Sequence, residues 1–272
     1  KRFLKCAVIL LVFGRNLFEI CRLGSQSLLI IISTIGTALV VSYAVSRIMK
    51  IDHDIATLVG VGSSICGGSA IAAAAPVIKA SDEDIAQSIS VIFLFNVIAA
   101  FLFPTVGAIL GFNDMGFGMW AGTAINDTSS VVAAGQTWAS ASGSDTALNY
   151  ATIVKLTRTL AIIPICLGLA YLTSKRKATT SEVKISSIFP MFIIYFLGAS
   201  IINTFAGSHF DFFQFLPAIG KFMIAMAMAA IGLNTNLVKL IKTGGKPILL
   251  GLICWFCIAV VSLAMQHLLN IW

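Results

Sequence analysis

Apolar runs of about 18 or more residues recur along nearly the whole chain, each long enough to cross a hydrocarbon layer of ~30 Å as a helix. Lipid offers no partner for a backbone N–H or C=O, so a chain of this kind is confined to helices or a closed barrel. Runs of this length read as helices. Only 11% of the 272 residues are charged and 58% are hydrophobic, with a mean hydropathy of +0.97, which excludes an ordinary soluble domain. The fold class is therefore all-α, a polytopic integral membrane protein whose first partner is the lipid bilayer.

Taken in order, a first run covers Phe3 to Phe18 and a second Gln26 to Met49. An interrupted run follows from about Asp52 to Lys79, its start marked by the Asp52, His53, Asp54 cluster that suits a helix N-terminus. Ser81 with Asp82, Glu83 and Asp84 signals the N-cap of a helix over Ile85 to Leu110, with Pro104 and Gly107 expected to bend its far end. Gly116 to Ala139 is a second interrupted run. Ala147 to Thr173, Phe189 to Phe205, Phe215 to Leu233 and Pro247 to Leu269 complete a count of nine crossings. Residues 1–174 then form a first helical half holding both interruptions, 175–186 a charged linker, and 187–272 the C-terminal helices of one integrated membrane domain.

The net charge of +7 sits in short loops between apolar runs. Nine crossings place Lys1, Arg2 and Lys5, then Arg47 and Lys50, then Lys175 to Lys184, then Lys239, Lys242 and Lys246 on one face, which is thereby cytoplasmic. Topology explains the charge, and no nucleic-acid partner is expected. Were the fifth run re-entrant, the last two basic loops would move to the opposite face. Six cysteines lie mostly inside apolar runs, and the Cys254, Cys257 pair within LICWFCIAVV has no further ligands near it in sequence. His53, His209 and His267 show no metal-ligand spacing. The common hydrolase and ATPase motifs are absent, so neither an enzyme, a metal site nor a cofactor is expected.

A weak, ungapped match pairs the stretch from Lys1 with the stretch from Lys221, aligning Asn16 with Asn236 and Gly24 with Gly244. The copies begin in the first and eighth crossings, so they would be oppositely oriented, as in inverted-repeat transporters. Chance similarity between apolar helices is the alternative, and no interrupted run follows the second copy.

The two interruptions concentrate the polar chemistry. LVGVGSSICGGSAIAAAAPVIK is broken by Ser63, Ser64, Cys66, Gly67, Gly68 and Ser69. A break at bilayer depth is tolerated only where it is buried in protein or lines a watery cavity, and many secondary transporters hold substrate at such breaks. The hydroxyls, and free N–H groups at the start of a second half-helix, favour an anion. Close packing of small residues between helices is the bland alternative. The second interruption, Asn126, Asp127, Thr128, Ser129, Ser130, carries a carboxylate that is expensive near mid-membrane. Asp127 could bind a proton or sodium ion, or cap the following half-helix, and the two roles are compatible. Lys155 and Arg158, three residues apart, share a helix face. Facing inward they would neutralise Asp127 or clamp an anion; facing outward they would snorkel to headgroups. Asn96, Asn203, Asn234, Asn236 and Gln87 read as caps or interhelical hydrogen bonds, with no one of them singled out.

GVGSSICGGSAIAAAAPVIKA, AGTAINDTSSVVAAG and VKLTRTLAIIP, in that order and spacing, resemble the bacterial YeiH-like membrane proteins, a family named for sulfate export, over essentially all 272 residues. The resemblance implies a place beside cation:proton antiporters and anion transporters. It also implies a location in the bacterial inner membrane, and sulfate or a small organosulfonate as cargo. The stretch from Lys221 is similar to a helix pair of bile-acid:sodium symporters. Relatives carry about two further helices upstream of Lys1, which implies an N-terminally incomplete chain and leaves the oligomeric state open, a homodimer included. The reading that results is a secondary active anion transporter working by alternating access, with a passive anion channel as the alternative and a membrane-embedded enzyme or sensor behind it. Ser63, Ser64, Cys66, Gly67, Gly68, Ser69, Asn126, Thr128, Ser129, Lys155 and Arg158 are the substrate-binding candidates, and Asp127 the ion-coupling one.

Overall fold

The computed structural model describes residues 17–177, 191–206, 215–220 and 245–272, with isolated positions at Cys6, Ile9, Leu10, Phe222, Met223 and Met226. Among these the chain is helical, without strands. In order the helices are α1 (Leu17–Met49), α2 (His53–Ser64), α3 (Gly68–Ile78), α4 (Asp82–Ile109), α5 (Asp114–Ala124), α6 (Thr128–Ser142), α7 (Thr146–Thr159), α8 (Ile162–Lys177), α9 (Met191–Ala206) and α10 (Gly245–Leu268). The chain divides into two compact units. One comprises Lys1–Ser27 with Pro190–Thr235 and contains α9; the other comprises Leu28–Phe189 with Asn236–Trp272 and contains every candidate site residue.

Among the described residues, four stretches are long and apolar enough to cross a membrane: Arg22–Met49, Asp82–Ile109, Thr146–Thr173 and Gly245–Leu268. Large apolar side chains such as Ile32, Val40 and Ile48 on α1, Phe101 and Ile109 on α4, and Phe256 on α10 lie exposed on these helices. Water would penalise that surface, and lipid does not. Together these make the protein an α-helical membrane protein. Most of the first run Phe3 to Phe18, most of the linker 175–186, most of Phe215 to Leu233 and most of the repeat pair fall outside the described residues. Lys175 to Lys177 form the end of α8.

Local signals place most helix starts. Ser81 accepts from the Asp84 N–H at 3.2 Å, Asp52 from the Asp54 N–H at 2.8 Å, and Asn113 from the Gly116 N–H at 2.8 Å, each satisfying a donor the helix leaves free. Pro104 sits inside an unbroken α4, and Gly107 makes room for a neighbour: a Cβ there would lie 2.7 Å from the Phe117 ring.

Among the described residues, the larger unit has two large cores. Aromatic rings fill one, with Phe103 stacked on Trp120 at 4.0 Å and Phe117 on Trp138 at 4.1 Å, between α4, α5, α6 and α10. Small aliphatic side chains fill the other, where Leu58, Ile65, Ala70, Ile71, Ala74 and Cys166 join α2, α3 and α8. Glycines set the closest approach. On α5, Gly118 and Gly122 stand one turn apart, and Cβ atoms there would lie 2.6 Å from Tyr150 Cβ and 2.8 Å from the Ala151 carbonyl of α7. Without side chains they let the two backbones touch, the packing that G-x-x-x-G favours between membrane helices.

The long run Ala147 to Thr173 is not one helix. It is interrupted between α7 and α8, where Leu160 N–H bonds back to Thr157 at 3.2 Å and Ala161 N–H to Arg158 at 3.1 Å. Pro164 accounts for this: it has no N–H for the Leu160 carbonyl, and its ring crowds that carbonyl.

Candidate functional site

Each expected interruption is a gap between two short helices. α2 stops at Ser64, three residues turn through Ile65, Cys66 and Gly67, and α3 starts at Gly68. Gly67 turns the chain at φ 69° and ψ −129°, a conformation open to glycine and costly to any L side chain. α5 stops at Ala124, and α6 starts at Thr128 with Asp127 as its N-cap. The gaps meet in space. A Cβ on Gly67 would lie 3.5 Å from Asp127 Cβ and 3.4 Å from Asn96 Nδ2.

A helix end leaves carbonyls without partners, and at the close of α2 nearly all of them can be accounted for. Ser64 Oγ donates to Val61 O at 2.9 Å, and the Gly67 N–H returns to Gly62 O at 2.9 Å. Arg158 takes the next two: Nη2 donates to Ser63 O at 2.6 Å and Nε to Ser64 O at 2.8 Å. Lys155 Nζ donates to Ile65 O at 2.7 Å. The same two side chains also reach the end of α5, Arg158 Nη1 to Thr123 O at 2.6 Å and Lys155 Nζ to Ile125 O at 2.9 Å. Two side chains of α7 thus satisfy five carbonyls and tie both gaps together.

Both cations are fully buried, so they point inward and not to headgroups. Their three-residue spacing puts them on one face of α7, and Gly118 and Gly122 bring α5 close enough for that face to reach its last carbonyls. Each aligned helix carries roughly half a negative charge at its C-terminus, so two such ends attract the cations without cancelling them.

The other side of the gaps is more open. Ser63, Ser64, Cys66, Gly67 and Asn126 are buried; Gly68, Asp127, Thr128 and Ser129 are half-buried; Ser69 is exposed. The start of α3 has no side-chain cap, whereas the start of α6 has Asp127, whose carboxylate accepts from the Ser129 N–H at 3.0 Å and from the Ser129 hydroxyl. The Ser63 hydroxyl and both polar atoms of the Asn126 amide are buried without a hydrogen-bond partner.

Asn96 is a member of the site that sequence reasoning did not single out. Buried on α4, its Oδ1 accepts from the Asn126 N–H at 3.2 Å and from the Asp127 N–H at 3.1 Å, bracing the second gap. The available signal was a single carboxamide in the middle of an apolar helix, VIFLFNVIAAF. Carbonyl partners such as Thr123 and Ile125 carry no side-chain signal at all.

These features define a class: an α-helical membrane protein with two helix gaps joined by buried cations. Residues 1–251 match the family model described as conserved hypothetical protein 698, and the chain belongs to that family, which contains the YeiH-like proteins named above. It is 56% identical to a UPF0324 membrane protein of Streptococcus pyogenes serotype M3, covering 100% of this chain and 82% of the relative. A UPF0324 membrane protein of Streptococcus agalactiae serotype V is 53% identical with 100% and 82% covered, and one of Fusobacterium nucleatum is 53% identical with 100% and 83% covered. No solved structure matches the chain.

Proposed function

We propose that the protein is a secondary active transporter of a small anion, an exporter of sulfate or an organosulfonate in the bacterial inner membrane. In this reading α2 with α3, and α5 with α6, are two discontinuous membrane helices that cross near mid-bilayer. One observation carries it: the fully buried pair Lys155 and Arg158, shared between the carbonyl ends of both gaps.

The sign of the ligand follows from charge. Lys155, Arg158 and the amide starts of α3 and α6 set N–H donors and positive potential against the carbonyl ends of α2 and α5 and one carboxylate, Asp127, a balance of donors that favours an anion. The uncapped N–H groups at Gly68 and Ser69, with the hydroxyl of Thr128, are its donors on the open side, while the Ser129 hydroxyl holds Asp127 in place, and Ser63 and Asn126 supply unpartnered polar atoms. Lys155 and Arg158 act mainly through their field, because their hydrogen bonds already go to carbonyls. Cys66 forms part of the buried wall.

Coupling falls to Asp127. Its carboxylate, half-buried at the second gap, would carry the coupling proton or sodium ion. Alternating access then exposes the gaps to each face in turn, with the Arg47 and Lys50 loop cytoplasmic.

The test is flux. Liposomes containing the protein should accumulate labelled sulfate or a sulfonate when a proton or sodium gradient is imposed. Folded protein that moves none of these anions defeats the proposal. Flux that ignores every ion gradient, and survives Asp127→Asn unchanged, would identify a passive channel instead.

A further inference from the structure

Away from the gaps, α1, α2 and α8 enclose a cavity of about 390 Å³ walled by Leu39, Val61, Ile165, Leu169 and Leu172. Its polar end adjoins a second cavity of about 150 Å³ lined by Tyr43, Ser46, Arg47, Ile51 and His53, and Tyr43, Ser46 and His53 belong to both. The combined space is apolar along one length and carries hydroxyls, an imidazole and a guanidinium at one end.

That end is held in place. Arg47 Nη2 donates to the Tyr43 hydroxyl at 3.1 Å, and the guanidinium stands 5.2 Å from the centre of the Tyr43 ring. This arrangement uses one of its five donors. Among the described residues no carboxylate pairs with Arg47, and neither Asp52 nor Asp54 lines either cavity. The last turn of α1 thus presents a positioned cation with donors to spare, above an apolar slot that a membrane helix would otherwise have closed. At Gly60 it is closed: a Cβ there would lie 2.8 Å from Ser42 Cβ, and Ser42 Oγ donates to the Ala56 carbonyl at 2.6 Å. At Gly168, on α8, it is open, since a Cβ there would meet nothing within 4 Å.

We infer that this space binds one anionic phospholipid, an acyl chain between α1, α2 and α8 and the phosphate at Arg47. Charge complementarity selects the headgroup, because a guanidinium donates two parallel hydrogen bonds to a phosphate. The apolar slot selects a chain over a free phosphate. α2 leads directly from this site into the first gap, so the lipid braces the helix whose end Lys155 and Arg158 hold. The inference stands on the cavity and Arg47, independently of what the gaps transport.

Native mass spectrometry of the full chain, after incubation with vesicles of phosphatidylglycerol or of phosphatidylcholine, tests it. Wild-type protein should retain one phosphatidylglycerol at least tenfold more readily than phosphatidylcholine. Arg47→Gln should bring that preference close to one. Gly168→Phe, which grows into the slot, should retain neither lipid while melting at the wild-type temperature. A preference that survives Arg47→Gln overturns the headgroup assignment. Undiminished retention in Gly168→Phe overturns the slot. Should Gly168→Phe not fold, Arg47→Gln decides alone, since its side chain is exposed and outside both gaps.

Discussion

Lys155 and Arg158 show how much one side chain can hold in a membrane interior, where an unmade hydrogen bond has no water to fall back on. Lys155→Met keeps the volume and leaves the Ile65 and Ile125 carbonyls without a donor, at about 1–3 kcal/mol for each buried orphan. A lower melting temperature in detergent is the expected outcome, with loss of flux. Arg158→Lys should behave almost as badly, because a single ammonium cannot reproduce a planar fork bonded to three carbonyls. A wild-type melt for Arg158→Lys would show that the fork is dispensable. Gly67→Ala places a side chain at positive φ between Asn96, Ile92 and Asp127, a strain of roughly 1–3 kcal/mol that thermal denaturation should register. For Asp127 the expectation concerns coupling: in Asp127→Asn, flux should no longer respond to an imposed proton or sodium gradient while the fold survives, an amide being a competent N-cap.

At the scale of elements, what places the cations is the contact between α5 and α7. Gly122→Leu pushes a side chain into the Ala151 carbonyl and the Val154 Cβ, both 2.8 Å from the position a Cβ would take. Separation of the two helices withdraws Thr123 and Ile125 from Arg158 and Lys155, so stability and flux should fall together. Overpacking alone costs roughly 1–3 kcal/mol. Fluorescence-detected melting would show it, and an unchanged melting temperature would mean that the helices are less tightly locked than the geometry indicates. The break between α7 and α8 is a different device, since the interruption that Pro164 imposes ends α7 one residue after Arg158. It keeps both cations at the end of a helix rather than in the middle of a long one.

For the whole molecule, the relevant quantity is the charge balance of the two gaps within an apolar surround. Small-residue packing, the bland reading of the first interruption, is present too: a Cβ at Gly62 would lie 2.9 Å from Ile71. Packing explains why α2 and α3 approach, but not why two fully buried cations are directed at their junction. The larger unit holds the complete arrangement, in that α7 supplies cations, α2 and α5 carbonyl ends, α3 and α6 amide ends, and α4 the Asn96 brace. Its exposed apolar belt confines the unit to a bilayer or a detergent micelle.

Much of this was legible in the linear chain. Length and apolarity decide that the chain is helical and membrane-embedded, because lipid leaves the backbone no other choice. Runs of serine, glycine and asparagine inside apolar stretches locate both gaps, since those residue types are the ones that release a helix. Ser81, Asp52 and Asp127 mark helix starts through their own side-chain oxygens. Three things were decided by tertiary structure alone. The partners of Lys155 and Arg158 are backbone carbonyls, which every residue has, so no pattern of side chains announces them. Asn96 joins the site only because α4 packs across the second gap. The break at Leu160 follows from Pro164, yet its meaning comes from where Arg158 then points. Sequence determined which segments interrupt and which residues are charged; only the packing of α5 on α7 determined that both interruptions end on the same two cations, because that contact joins segments far apart in the chain.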